Sequence, residues 1–114
     1  MNELEQKISL VVLIRNAMPF LIDTLNSILN LRSLLDQLVI SDNSSTDDST
    51  KALNGFANVY EGNLKMVTTP SFVNVGESWN FAIENSNFDW VLMLHSDDLI
   101  HESAITTLRD YQEY

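Results

Sequence analysis

The chain has 114 residues, 45% of them hydrophobic, with no cysteine, and its 16 acidic and six basic residues give a formal charge of −10. That suffices for a single domain (1–114) with a modest core, and is too little for two. Disulfides and thiolate zinc sites are excluded, and the shortage of clustered Lys and Arg argues against nucleic acid as a partner.

Met1-Asn2-Glu3-Leu4-Glu5 is acidic and lacks the layout of an export signal, so a cytoplasmic location is expected. Ile8 to Ile14 is an unbroken apolar run rich in β-branched residues, the pattern of a strand buried on both faces of a parallel sheet. No run approaches bilayer-spanning length. Pro19 suits the first turn of a helix, and Phe20, Leu21, Leu25, Ile28, Leu29 and Leu31 follow at roughly helical spacing. Leu38-Val39-Ile40 reads as a second strand ending at Ser41-Asp42-Asn43. Ser45-Thr46-Asp47-Asp48 has the spacing of a capping box and predicts a short helix through Leu53. Leu64 to Val67 is the third strand. Asn74-Val75-Gly76 reads as a turn before a helix marked by Trp79, Ala82 and Ile83. Trp90 to Leu94 is a fourth strand, and Ala104, Ile105 and Leu108 mark a last helix.

Strand and helix alternate four times, which predicts an α/β, Rossmann-like parallel sheet flanked by helices. Polar residues follow the strands where such sheets bind ligands: Arg15 and Asn16 after the first, Asp42 and Asn43 after the second, Asp97 and Asp98 after the fourth. For Arg15, Asn16 and Asp98 to share one crevice, the first and fourth strands must be neighbours, giving the order 3-2-1-4. Adjacent carboxylates repel unless water or a cation neutralises them, and Mg²⁺ commonly joins one or two carboxylates to phosphate oxygens. The alternative is that Asp97 and Asp98 cap the helix beginning near His101.

Four segments together resemble the N-terminal half of a family 2 glycosyltransferase, the GT-A fold. Ile8 to Asn16 resembles the family's opening strand. Val39 to Asp47 resembles its "V-D-D/N-G-S-T-D" strand and turn. Asn74-Val75-Gly76 with Trp79-Asn80 resembles its "N-x-G … W-N" segment, and His95-Ser96-Asp97-Asp98 falls at its "D-x-D" metal motif. The match runs from Ile8 to Leu108.

The resemblance implies a metal-dependent transferase moving a sugar from a nucleotide-sugar, a UDP-sugar first among them, to a glycan or lipid-linked acceptor. Cell-surface polysaccharide biosynthesis at the cytosolic face of a membrane, with peripheral membrane association, is the implied setting. Arg15, Asn16, Asp42, Asn43, Asn80 and Asp97 would bind the donor, with Asp42 and Asn43 on the base. Asp98, with Asp97 beside it, would hold Mn²⁺ or Mg²⁺. Arg15 stands where the family has a Tyr that flanks the base, and His95 replaces the first Asp of the extended "D-x-D-D" motif. His95 is expected as a partly buried imidazole bonded to backbone, and Trp79 as core. The catalytic base is expected beyond Tyr114, making this chain inactive alone and its fourth strand a bare edge suited to homodimer formation.

Two other classes compete. One is a non-catalytic module that binds nucleotide, metal or a partner chain. The other is a phosphoacceptor signalling domain, which would need an acidic pair after its first strand and a late lysine. Here Arg15-Asn16 stands at that place, and no lysine follows Lys65.

Overall fold

The computed structural model describes residues 7–111. The readings of Met1 to Glu5 and of the last three residues lie outside them. Four strands, β1 (Ile8–Ile14), β2 (Gln37–Asp42), β3 (Leu64–Thr68) and β4 (Trp90–His95), form one parallel sheet in the order β3-β2-β1-β4. The predicted order is the observed one. The connecting helices are α1 (Leu21–Leu29), α2 (Ser49–Val59), α3 (Val75–Glu84) and α4 (Glu102–Tyr111), with a 3₁₀ turn at Arg32–Leu34.

Side chains alternate across the sheet, so each strand feeds two cores. Leu10, Val12, Ile14, Leu38, Ile40 and Leu94 pack against Leu21, Leu25 and Ile28 of α1 and Leu53 and Phe56 of α2. Val11, Leu13 and Val39 face the other way, onto Ala82 and Trp79 of α3. All seven residues of β1 are buried, which is why its sequence is apolar without alternation except at Ser9, whose hydroxyl donates to Gln37 Oε1 at 2.8 Å. At the opposite end, Ile105 of α4 packs on Ile8 and Leu31, and Arg109 binds Asp36 at 2.7 Å.

Local expectations needed correction in three places. Pro19 precedes α1 instead of opening it, because the helix starts at Leu21. The capping box does not form: α2 starts at Ser49, and Ser45 donates its hydroxyl to Asp42 Oδ1 at 2.6 Å. That helix also runs on past Leu53 to Val59, since Phe56 gives it further buried surface. Asn74-Val75-Gly76 is the start of α3 itself. Asn74 Oδ1 accepts from Glu77 N at 2.9 Å, while Asn74 Nδ2 donates to Glu77 Oε1 at 2.8 Å.

β4 also departs from a strand buried on both faces. Among the described residues it pairs only with β1, and Met93 is 54% exposed. Among the described residues no helix is long and apolar enough to cross a membrane.

Candidate functional site: the crevice between β1 and β4

The chain winds outward from β1 through β2 to β3 and then returns to place β4 on the other side of β1. The strand order reverses there, with α1 on one face of the sheet and α3 on the other, and a crevice lies at the carboxyl ends of the paired strands β1 and β4. Leu13, Ile14 and Arg15 line it from β1, Asn43 from β2, Val75 and Ser78 from α3, and His95 and Ser96 from β4, around a cavity of about 140 Å³. Asp97 and Asp98 follow directly, both exposed.

Arg15 is held at the rim by its own surroundings. One guanidinium nitrogen donates to the carbonyls of Asn43, at 3.1 Å, and of Ser44. The guanidinium carbon lies 4.8 Å from the ring centroid of Phe72, in cation–π range. A planar, permanently charged group is thereby fixed at the mouth of a crevice in a strongly acidic chain.

Asn43 is less free than its position suggests. Its Oδ1 accepts from Thr69 Oγ1 and Val73 N, both at 3.0 Å, and its Nδ2 donates to Val73 O at 2.8 Å. Both acceptor lone pairs are used, which leaves at most one N–H for a ligand. Asn43 therefore also fastens the 69–73 segment, whose Phe72 ring lies against Arg15.

The other strand-end residues brace the rim. Asn16 has φ 46° and accepts on Oδ1 from Thr46 N at 2.7 Å and Asp47 N at 3.2 Å. Asp42 is buried on the α2 side of the sheet, away from the crevice. It accepts from Ser45 N and Ser45 Oγ on one oxygen and from Thr50 Oγ1 on the other. Asn80 is exposed, because two residues beyond the inward-facing Ser78 a helix has turned by about 200°. The structure thus brings Arg15 and Asn43 together with His95 and Ser96 in the crevice, sets Asp97 and Asp98 in the turn that follows Ser96, and does not bring Asn16, Asp42 or Asn80 into the lining.

Asp97 and Asp98 do not cap α4. That helix starts at Glu102, and the first-turn amide of Ser103 donates to His101 Nδ1 at 3.1 Å. His95 is exposed rather than partly buried on backbone, and meets the Trp79 ring edge-on with centroids 5.3 Å apart. Trp79 is partly buried against the α3-side core, as expected.

Sequence reasoning missed Ser78, Val75 and Phe72. Ser78 is buried, with a hydroxyl that finds no hydrogen-bond partner among the described residues. Its place four residues after the cap Asn74 and four before the buried Ala82 was the available signal, since those positions share one helix face.

Among the described residues no group of three or more His, Asp or Glu side chains is arranged to hold a metal. Two carboxylates are present, and neither accepts a hydrogen bond from the described residues. A hard cation fits such an all-oxygen pair when diphosphate and water oxygens complete its shell.

A parallel sheet of order 3-2-1-4 flanked by helices, with a crevice at the β1–β4 switch point, is an α/β domain of the GT-A fold. The profile of the family described as "Glycosyl transferase family 2" matches residues 9–113, and the chain belongs to that family. Its fold is similar to S. aureus TarS 1-349 in complex with UDP-GlcNAc: TM-score 0.81, 22% identity, covering 94% of this chain and 31% of that one. It is also similar to the mannosyltransferase PcManGT from Pyrobaculum calidifontis in complex with GDP-Man and Mn²⁺: TM-score 0.79, 19% identity, covering 95% and 32%. Glucosyl-3-phosphoglycerate synthase from Mycobacterium tuberculosis, in complex with Mn²⁺, UDP and glucosyl-3-phosphoglycerate, gives a TM-score of 0.67 at 23% identity, covering 82% and 36%. The chain spans about a third of the length of these proteins. No curated protein matches it.

Proposed function

We propose that the β1–β4 crevice binds a nucleoside-diphosphate sugar, a UDP-sugar first among them, and that the chain is the donor-binding part of a metal-dependent glycosyltransferase. The observation that carries this is the switch-point crevice lined by Arg15, Asn43 and Ser96, with the exposed Asp97-Asp98 pair next in the chain after Ser96, within a family 2 domain. The similar structures that hold UDP-GlcNAc, GDP-Man, UDP and Mn²⁺ support a nucleotide donor and a divalent cation.

In this reading Arg15 meets the base or a phosphate with its fixed guanidinium plane, and Asn43 offers its remaining N–H to the base. Asp98 holds Mn²⁺ or Mg²⁺, with Asp97 at the ribose or in the water shell. The cation supplies, when bound, the positive charge that stabilises the departing nucleoside diphosphate. An inverting transfer also needs a carboxylate within reach of the acceptor hydroxyl. No residue of the crevice is assigned that role, and a glycan or lipid-linked acceptor belongs to surfaces outside it.

Calorimetric titration of UDP with and without MnCl₂ tests the reading. UDP should bind only weakly in EDTA, and Asp98→Asn should weaken binding about tenfold or more in Mn²⁺ while leaving the melting temperature nearly unchanged. Equal affinity with and without metal, or an Asp98→Asn variant that binds as wild type does, would remove the metal from the site. Binding of UDP without donor hydrolysis or transfer in any longer form of the protein would favour the non-catalytic module.

A further inference from the structure

The Asp97-Asp98 turn is fastened to α1 from behind. Thr24 is fully buried, and its Oγ1 lies 2.9 Å from Ser96 O and 2.7 Å from Asp98 O. The one hydroxyl proton thus faces two carbonyls of the acidic turn at short range, with Phe20 O at the cap of its own helix farther off at 3.5 Å. Roughly one helical turn later, Ser27 Oγ accepts from Ile100 N at 3.2 Å and donates its own proton to Thr24 O at 2.7 Å. Asp98 N closes the turn on His95 O at 3.1 Å. Two hydroxyls of one helix therefore grip the turn at residues 96, 98 and 100. With the carbonyls of Ser96 and Asp98 drawn onto α1, the side chains of Asp97 and Asp98 stand exposed on the solvent side.

A grip of this kind has work to do before any cation arrives. Two neighbouring carboxylates repel, and a turn held only by its own closing hydrogen bond would relax to separate them. Bonds from a helix whose Leu21, Leu25 and Ile28 are locked in the core resist that relaxation. The groups are also well chosen. A neutral hydroxyl orients the turn through its carbonyls and leaves every carboxylate oxygen available.

We infer that Thr24 and Ser27 are positioning residues for the metal site: their hydroxyls hold the 96–100 turn so that Asp97 and Asp98 are presented together to a divalent cation carrying a nucleoside diphosphate. This rests on the metal reading above. Outer-shell groups that orient ligands commonly change metal affinity by about 10–100-fold when removed.

The test uses Thr24→Val, which keeps the shape and removes the hydroxyl, Thr24→Ser, which keeps the hydroxyl, and Ser27→Ala. Mn²⁺ affinity is read by electron paramagnetic resonance with MnCl₂ alone and with MnCl₂ plus UDP, and amide exchange of Asp98 and Ile100 is followed without ligand. Thr24→Val should bind Mn²⁺–UDP about tenfold more weakly and exchange both amides about tenfold faster, with Thr24→Ser within about twofold of wild type. Wild-type Mn²⁺ affinity in Thr24→Val, or a loss as large in Thr24→Ser, overturns the inference and leaves the metal reading standing. No Mn²⁺ binding by the wild type, with exchange still accelerated in Thr24→Val, overturns the metal reading and reduces the grip to a loop brace. If Thr24→Val does not fold, Ser27→Ala decides by the same two readouts, because of the bonds to the turn it loses only the Ile100 anchor, its other bond being to Thr24 O within α1.

Discussion

Removing the side chain of Asn16 should cost stability rather than donor affinity, and the size of the loss can be worked out from the structure. Asn16 sits at φ 46°, in the left-handed region that Asn tolerates better than other side chains. Its Oδ1 takes the backbone amides of Thr46 and Asp47, at 2.7 and 3.2 Å, which ties the end of β1 to the loop before α2. Each such bond contributes about 0.5–1.5 kcal/mol net, and the lower half of that range applies because water can reach this loop. Alanine at a left-handed φ adds about 1–2 kcal/mol of strain, and glycine adds essentially none. Asn16→Ala should therefore lose about 2–4 kcal/mol, Asn16→Gly about 1–2, and Asn16→Asp, which keeps the acceptor, under about 1. Urea unfolding followed by circular dichroism measures all three. If Asn16→Ala is as stable as wild type, or Asn16→Gly loses as much as Asn16→Ala, then the bracing role or its backbone component is wrong. A variant of unchanged stability that lost UDP binding would return Asn16 to the donor site.

Ile28 is fully buried where α1 meets the sheet, so Ile28→Ala should cost about 2–5 kcal/mol in urea unfolding; a loss under about 1 would mean α1 is not docked as described. The Asp47 carboxyl is held below its usual 3.8, first by the hydrogen bond from the Ser49 side chain. Its folded-state value lies below the unfolded one, so its contribution is present above the unfolded value and fades as pH falls through the lowered one. Asp47→Asn should accordingly flatten the acid limb of the stability–pH curve in that window, and an unchanged limb would refute the assignment. The β4 edge has Met93 exposed and carries no proline or lysine, so it should pair with a second copy of the chain, more tightly at high salt because the net charge is −10. Sedimentation equilibrium should show dimers that Met93→Lys disrupts, and monomers at low and high salt alike would refute this.

Much of the fold was legible because it depends on local pattern. An apolar run such as Ile8 to Ile14 has one comfortable place, the middle of a parallel sheet, and the observed strand has those same limits. The order 3-2-1-4 was legible because residues that share a crevice must sit on adjacent strand ends. The roles of individual polar residues were not. Asp42 and Asn43 are neighbours in sequence, yet strand alternation sends one carboxylate to the α2 side and the amide to the crevice. Asn80 looked like a ligand residue by motif, and helix geometry turned it outward. Whether a polar side chain is free for a ligand or already spent on a neighbouring loop depends on partners 25 to 75 residues away, as for Asn43 with Val73 and Thr24 with Asp98. The sequence by itself determined which elements form and which strand ends carry polar residues, because those follow from period and composition along the chain. Only the tertiary structure decided which of those groups remain available, because hydrogen-bond capacity is finite and is claimed by whatever packs alongside.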